Sequence, residues 1–304
     1  TPSTYLGNDN EIVYIRVQDA KGCYSTTTQL LRVTQGPVAI TPTPLQYCDP
    51  NNDGFGEFNL NDATNQIAGG SVPAGVSVSY HETPDDSYIG ANPIPLSVLY
   101  NNIQPWSQIL YVRVYYTLTG CANYVQLKLN VNPTPEAVTP TDYQLCDDHA
   151  PVGQENFDLT TKIPEVLGSI NPSLVTVTFY TSLTDAQTPS SAITNITAYP
   201  AGPSTTVYVR VEFIATGCYD IVPLNLIVNP LPNSMQPNYP QYSLCDNNQS
   251  AGDIGYEVFD LASQIPVIQM GQSNMEVHFY PSLGDAQNHT NEILVLNYRN
   301  QIQY

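Results

Sequence analysis

Between Leu110 and Tyr116 the chain alternates, with Leu110, Val112, Val114 and Tyr116 on one face and Tyr111, Arg113 and Tyr115 on the other. A period of two predicts a half-buried strand. The segment VQLKLNV repeats the pattern, with Val125, Leu127, Leu129 and Val131 pointing inward. The two runs flank TLTGC, whose Gly120 marks a turn, so together they predict a β-hairpin. VSVSY from Val76 predicts another strand, and FDLTTKIPEVLG predicts one short helical turn whose length Pro164 limits.

These patterns recur. VYIRVQDAKGC, LYVRVYYTLTGC and VYVRVEFIATGC carry Tyr14, Tyr111 and Tyr208 at a constant spacing of 97, and Tyr304 falls 96 further on. Three further markers keep the same order: Cys-Asp at Cys48, Cys146 and Cys245 followed by EFNL, NFDL or VFDL, then a strand running into an acidic turn, then a closing LNVNPTP, LIVNPLP or weaker LRVTQGP. A fixed period of this kind is the signature of repeat architecture. Residues 1–36 form the C-terminal part of one repeat, 37–133 and 134–230 are complete repeats, and 231–304 are the N-terminal part of another. The chain reads as a window on a longer protein. Several short strands per 97 residues, punctuated by Pro and Gly, predict an all-β protein of tandem immunoglobulin-like β-sandwich repeats. The lack of long amphipathic helices excludes parallel α/β folds.

Composition narrows the function. Eight Lys and Arg stand against 27 Asp and Glu, a formal charge of -19. Such a surface repels phosphate backbones and anionic lipid, so neither nucleic acid nor a membrane is an expected partner. No apolar run approaches the roughly 20 residues that span a bilayer.

Six cysteines allow two local schemes. They pair either across the linkers, as Cys23–Cys48, Cys121–Cys146 and Cys218–Cys245, or within a repeat, as Cys48–Cys121 and Cys146–Cys218. In a sandwich whose last hairpin points back toward the end where the chain arrives, Cys121 lies near Cys48. Cys23 lies a domain length away, beyond the short Cα separation a disulfide accepts. One intradomain disulfide per repeat is therefore the expectation, with Cys23 and Cys245 pairing outside the window. Each such bond stabilises its repeat by roughly 4 kcal/mol in the chain-entropy picture and requires an oxidising compartment.

Catalytic chemistry is not legible. Asp49, Asn51 and Asp53 have the spacing of a calcium loop, but Leu60 stands where such a loop needs a bidentate Glu. A solvated turn capped by Asx side chains is the competing reading. His81, Glu82, Asp85 and Asp86 cluster, and His278 lies in the matching strand of the last repeat, yet Phe179 and Tyr180 carry no counterpart. No nucleophile elbow or phosphate-cradling loop is present, so neither an enzyme nor a cofactor is expected, calcium at the Asp49 loop being the one candidate. Arg113 and Arg210, beside Tyr111 and Tyr208, are candidate surface ligand contacts. The alternative is that each Arg packs over a Tyr and pairs with an acid. Asn195, Asn248 and Asn288 fit the N-glycosylation pattern.

The ordered set CD…FDL…VTFYTSLTDAQ…VYVRVEFIATGC…LIVNPLP resembles the repeats of very large surface proteins of Bacteroidota, especially flavobacteria. The resemblance covers essentially the whole chain and is clearest from Cys146 to Pro232. It implies tandem immunoglobulin-like stalks of cell-surface adhesins, exported by type IX secretion and in some members associated with gliding motility. The expected function is a non-enzymatic extracellular stalk or filament segment at the cell surface that projects a distal adhesive region. Its partners would be neighbouring repeats, other copies in a filament, and a surface glycan or substratum reached through other regions. A glycan- or calcium-binding array, or the spacer of a secreted enzyme, is the alternative.

Overall fold

The structure, a computed structural model, describes residues 4–149, 152–233, 241–246 and 254–301. The first segment folds as a hairpin, β1 (Ile12–Gln18) against β2 (Tyr24–Leu30), with Gln18 opposite Tyr24 across the turn.

The first complete repeat contains β3 (Leu45–Asp49), β4 (Glu57–Phe58), α1 (Asn61–Ile67), β5 (Val76–His81), α2 (Pro84–Ile89), β6 (Tyr100–Asn101), β7 (Ser107–Tyr116) and β8 (Ala122–Pro133). Its main sheet has the order β3-β8-β7-β5, and β4 pairs with β6 in a two-stranded ribbon. β7 and β8 form the predicted hairpin, with Tyr111 opposite Gln126 and Arg113 opposite Tyr124. Leu110, Val112, Val114, Leu127 and Leu129 are fully buried, while Tyr116, expected inward, is 39% exposed where the strand runs into the turn. The buried sheet face meets Phe58 and Tyr100 of the ribbon and Leu60, Ala63 and Ile67 at and along α1. Ala63 and Ile67 stand four residues apart, on one helix face. The second layer of the sandwich is thus a ribbon plus one short helix.

The second repeat has the same plan: β9 (Tyr143–Cys146), β10 (Glu155–Phe157), α3 (Ile163–Leu167), β11 (Val175–Tyr180), α4 (Leu183–Gln187), β12 (Tyr199–Ala201), β13 (Ser204–Phe213) and β14 (Tyr219–Asn229). Its strand order is β11-β13-β14-β9, with β10 paired to β12. Pro164 stands in the first turn of α3, where its missing N–H costs nothing. The last segment holds β15 (Val258–Asp260), α5 (Ile265–Gln269), α6 (Leu283–Asn288) and β16 (Asn297–Arg299), β15 and β16 being antiparallel. By compactness, residues 1–141, 158–197 and 206–225 make one unit and residues 142–157, 198–205 and 226–304 a second.

The sequence markers are structural devices. Phe58 and Phe157, with Leu60 and Leu159 two residues later, are buried anchors. The acidic turns are side-chain-capped helix starts: Thr83, Ser182 and Ser282 accept from the backbone N–H of Asp86, Asp185 and Asp285, each at 3.1 Å. Their hydroxyls donate back to the same carboxylates. The closing Asn132 and Asn229 donate to Gln46 and Gln144 on the neighbouring edge strand.

The direction of the first edge strand decides where its cysteine ends up. β3 runs parallel to β8, with Leu45 opposite Leu129 and Cys48 opposite Asn132. Cys48 therefore lies beside the exit of its own repeat.

His81 is fully buried, with Nδ1 2.6 Å from the Ala91 carbonyl and Nε2 2.9 Å from Ser79 Oγ. Both ring nitrogens are engaged, so His81 does not present a ligand atom to Glu82, Asp85 and Asp86. Burial pushes its pKa down against the Ala91 carbonyl and Asp86, which raise it, and with Arg113, which lowers it further. The folded repeat binds this proton less readily than the unfolded chain. Its stability is therefore unaffected above the ordinary histidine pKa of about 6.5 and falls as pH drops below it. Denaturant titrations should show the first repeat losing up to about 1.4 kcal/mol per pH unit on acidification, and His81→Gln should flatten that slope. An unchanged slope in the variant would contradict the assignment.

Candidate functional site at the repeat junction

Cys48 is bonded to Cys218, with 5.4 Å between the Cα atoms and 170 residues between them in sequence. The expected pairs Cys48–Cys121 and Cys146–Cys218 are both replaced, and the bond joins two repeats rather than closing one. The reason lies in the parallel edge strand. The hairpin does point back toward the arriving linker, since Asn123 Nδ2 donates to the Pro37 carbonyl at 2.8 Å. By Cys48, however, the chain has already run along β3 to the opposite pole. From Asn132, opposite Cys48, to the turn below Ala122 is ten residues of strand, roughly 33 Å at about 3.3 Å per residue. That is far beyond disulfide reach. The pole Cys48 does reach adjoins the second repeat, whose hairpin turn carries Cys218. Cys23, Cys121, Cys146 and Cys245 are free thiols here. Thr34 Oγ1 approaches Cys121 Sγ at 2.8 Å, so the residues before the first complete repeat abut its hairpin turn.

The loop after Cys48 builds the rest of the junction. Asp49 is fully buried, and its carboxylate accepts from the N–H groups of Asn51 (3.2 Å), Asn52 (3.1 Å) and Gly54 (2.7 Å). The same acid caps the same glycine in the other repeats: Asp147 accepts from Gly153 at 2.8 Å, and Asp246 from Gly255 at 3.0 Å. This explains the recurrent Cys-Asp. Gly54 has φ +86°, and a Cβ there would lie 2.9 Å from Pro105 and 3.0 Å from Trp106. Asp53 accepts from Asn51 Nδ2 and the Phe55 N–H. Asp49 and Asp53 thus cap main-chain N–H groups while the Asn51 amide donates to Asp53, and Asp49 is buried where the sequence suggests a solvated turn.

Asn52, in the left-handed conformation at φ 55°, turns its amide to the linker. It donates to the Thr134 carbonyl (3.2 Å) and accepts from the Thr134 N–H (2.9 Å), and Thr134 Oγ1 donates to the Asp49 carbonyl (3.0 Å). Three residues on, the Ala137 N–H donates to Asp220 Oδ2 (3.1 Å), and the Val138 N–H to the Val166 carbonyl (2.9 Å). The linker therefore passes from the hydrogen bonds of one repeat directly into those of the next. No signal in a single sequence marks Asn52 or Asp220 for this role.

The candidate ligand contacts resolve differently. Arg210, expected at the surface, is only 4% exposed: it pairs with Glu212 at 2.7 Å, donates to the Ala186 carbonyl and lies 3.4 Å over the Tyr219 ring. Arg113 donates to the carbonyls of Tyr88 and Gly120. Arg16 over Tyr24 and Arg299 over Tyr256 repeat the stacking, which fastens a strand to its neighbours. Tyr208 is half-buried, opposite Tyr180, and Tyr111 lines an open groove. His278 is an exposed side chain between Glu276 and Glu292. Among the described residues Asp148, His149 and Glu155 gather in one place, where Glu155 accepts from the backbone N–H groups of Asp148 and His149 and meets the imidazole. Asn195 and Asn288 are exposed, and Asn248 lies outside the described residues. No described helix is long and apolar enough to cross a membrane.

Comparison with curated protein sequences finds no match. Among solved structures, the chain is similar to titin domains I67–I69 at 7% identity, covering 72% of this chain and 74% of that one, with a TM-score of 0.24. It is also similar to the human desmocollin-1 ectodomain at 12% identity (83% and 56% covered, TM-score 0.19). For the protocadherin gamma B2 cadherin domains 1–5 the identity is 11% (75% and 46% covered, TM-score 0.18). The chain spans about half the length of these last two chains. The family described as the Flavobacterium inter-domain disulphide bond domain matches residues 44–135, 142–232 and 241–304. With three matched repeats and a cystine bridging two of them, the chain belongs to that family.

Proposed function

We propose that this chain is a stretch of an extracellular stalk whose successive repeats are joined twice, once by the peptide linker and once through sulfur. The observation that carries the reading is the Cys48–Cys218 bond across the junction. Cys146 faces Asn229 as Cys48 faces Asn132, and Cys121 follows the hairpin turn of its repeat as Cys218 does. The same link, applied along a string, ties each of these thiols, and Cys23 and Cys245, to a cysteine of an adjoining repeat that lies outside residues 1–304. Such bonds need an oxidising compartment. A linker hydrogen-bonded on both sides and backed by a disulfide resists bending, and a charge of -19 keeps neighbouring strings apart. In this reading the segment is non-enzymatic and holds no cofactor. It projects an adhesive region from the cell surface, with type IX export and gliding as the setting that the resemblance to flavobacterial surface proteins implies.

Labelling intact cells with antibody against residues 37–230 tests the placement. Signal displaced outward from the outer membrane is expected, and signal confined to permeabilised cells would end the reading.

A further inference from the structure

We propose that the first complete repeat carries a binding groove for neutral pyranose chains, a role beyond that of a spacer. A groove of about 460 Å³ opens between α2 and the outward face of the β7–β8 hairpin, within the volume range of ligand sites. Tyr88, Tyr111 and Tyr124 line it, together with Asp85, Ser87 and Gln126. The Tyr88 and Tyr124 rings stack at 5.8 Å between centroids and 29° between planes, yet Tyr88 remains 72% exposed and Tyr124 42%. Two hydrogen bonds hold the helix end over the sheet: Arg113 and the Tyr124 hydroxyl both donate to the Tyr88 carbonyl. The aromatic platform is thus pre-organised before any ligand arrives.

The fold does not require this platform, as the other repeats show. Counted from the helix caps, Tyr88 corresponds to Gln187 and Gln287. Counted from the hairpin cysteine, Tyr124 corresponds to Ile221 and Gln126 to Pro223. The second repeat keeps the clamp on the helix end with other side chains, since Arg210 donates to the Ala186 carbonyl and the Tyr219 hydroxyl to that of Gln187. Packing therefore accounts for the clamp and leaves the exposed tyrosine faces of the first repeat unexplained.

The chemistry selects the occupant. Flat aromatic faces take the C–H face of a pyranose ring, while Asp85, Gln126 and the tyrosine hydroxyls offer acceptors and donors to ring hydroxyls. Asp85 is the one charged residue among those lining the groove, and a net charge of -19 repels acidic sugars and phosphates. A proline-rich peptide also packs on tyrosines, but its prolines bring no N–H to satisfy the Asp85 carboxylate.

The oxidised 304-residue chain should be titrated calorimetrically with soluble glucan, mannan, xylan and galactan oligosaccharides, a polygalacturonate fragment and a proline-rich peptide. Saturable binding of at least one neutral oligosaccharide is expected. Tyr88→Ala and Tyr124→Ala should each weaken it about tenfold or more, and Asp85→Asn severalfold, whereas Tyr219→Ala should leave it unchanged. Tyr88→Gln, which installs the side chain the second repeat carries, should abolish binding with the unfolding midpoint intact. Absence of binding by every neutral oligosaccharide, binding that survives the Tyr88→Ala Tyr124→Ala pair, or binding of the acidic fragment or the peptide alone would overturn the proposal.

Discussion

Pulled from its two ends with the Cys48–Cys218 bond intact, the chain will yield roughly 600 Å less contour length on unfolding than it yields after reduction. The 170 residues between the two sulfurs cannot extend while the bond holds, and each would add about 3.3–3.6 Å. Cys48→Ser alone should release the whole of that length in force spectroscopy. Bonds within each repeat would divide it between two loops of 73 and 72 residues, the separations of Cys48 from Cys121 and of Cys146 from Cys218, so that the same variant would free only one. A release of about half in the Cys48→Ser variant would therefore refute the junction bond. In the chain-entropy picture a closed loop this long also stabilises the folded chain by about 5 kcal/mol, so the variant should melt earlier as well.

The second large effect falls on a residue that looks like a metal ligand. Asp49→Ala should destabilise the first repeat by about 3–5 kcal/mol, because it strands three backbone N–H groups around a fully buried position. Asp53→Ala, which removes exposed contacts, should cost much less. Chemical denaturation of both variants, with and without millimolar calcium, separates capping from coordination. A cap predicts that calcium leaves the wild-type midpoint where it was. A rise in that midpoint with calcium, lost in Asp49→Ala, would restore the calcium-loop reading.

The hairpins and the all-β class were legible because alternation between Leu110 and Val114 reports directly which side chains leave water. Repetition at a fixed spacing made the repeats equally plain. The disulfide was not legible, because it depends on the direction of β3, five residues whose parallel pairing with β8 is fixed by contacts more than eighty positions away. Arg210 failed for a related reason. It occupies an outward position on β13, and only the return of α4 over that face, with Ala186 accepting its hydrogen bond, removes it from solvent. Arg113, at the matching place, remains half-exposed. The role of Asp49 could have been read from the sequence, since an acid followed by a glycine five or more residues later recurs in all three copies, in two of them without the calcium-like spacing.

The parallel run of β3 also dictates an order of events during biogenesis. The thiol nearest to Cys48 in the downstream sequence is Cys121, and in an unfolded chain that wrong partner is the easier one to meet. Once the first sandwich has closed, the length of β8 keeps the two apart, and Cys48 must wait for Cys218 to be delivered with the following copy. Correct oxidation therefore lags folding by one whole repeat, and an oxidant acting on nascent, still unstructured chain would lock in the mispaired form.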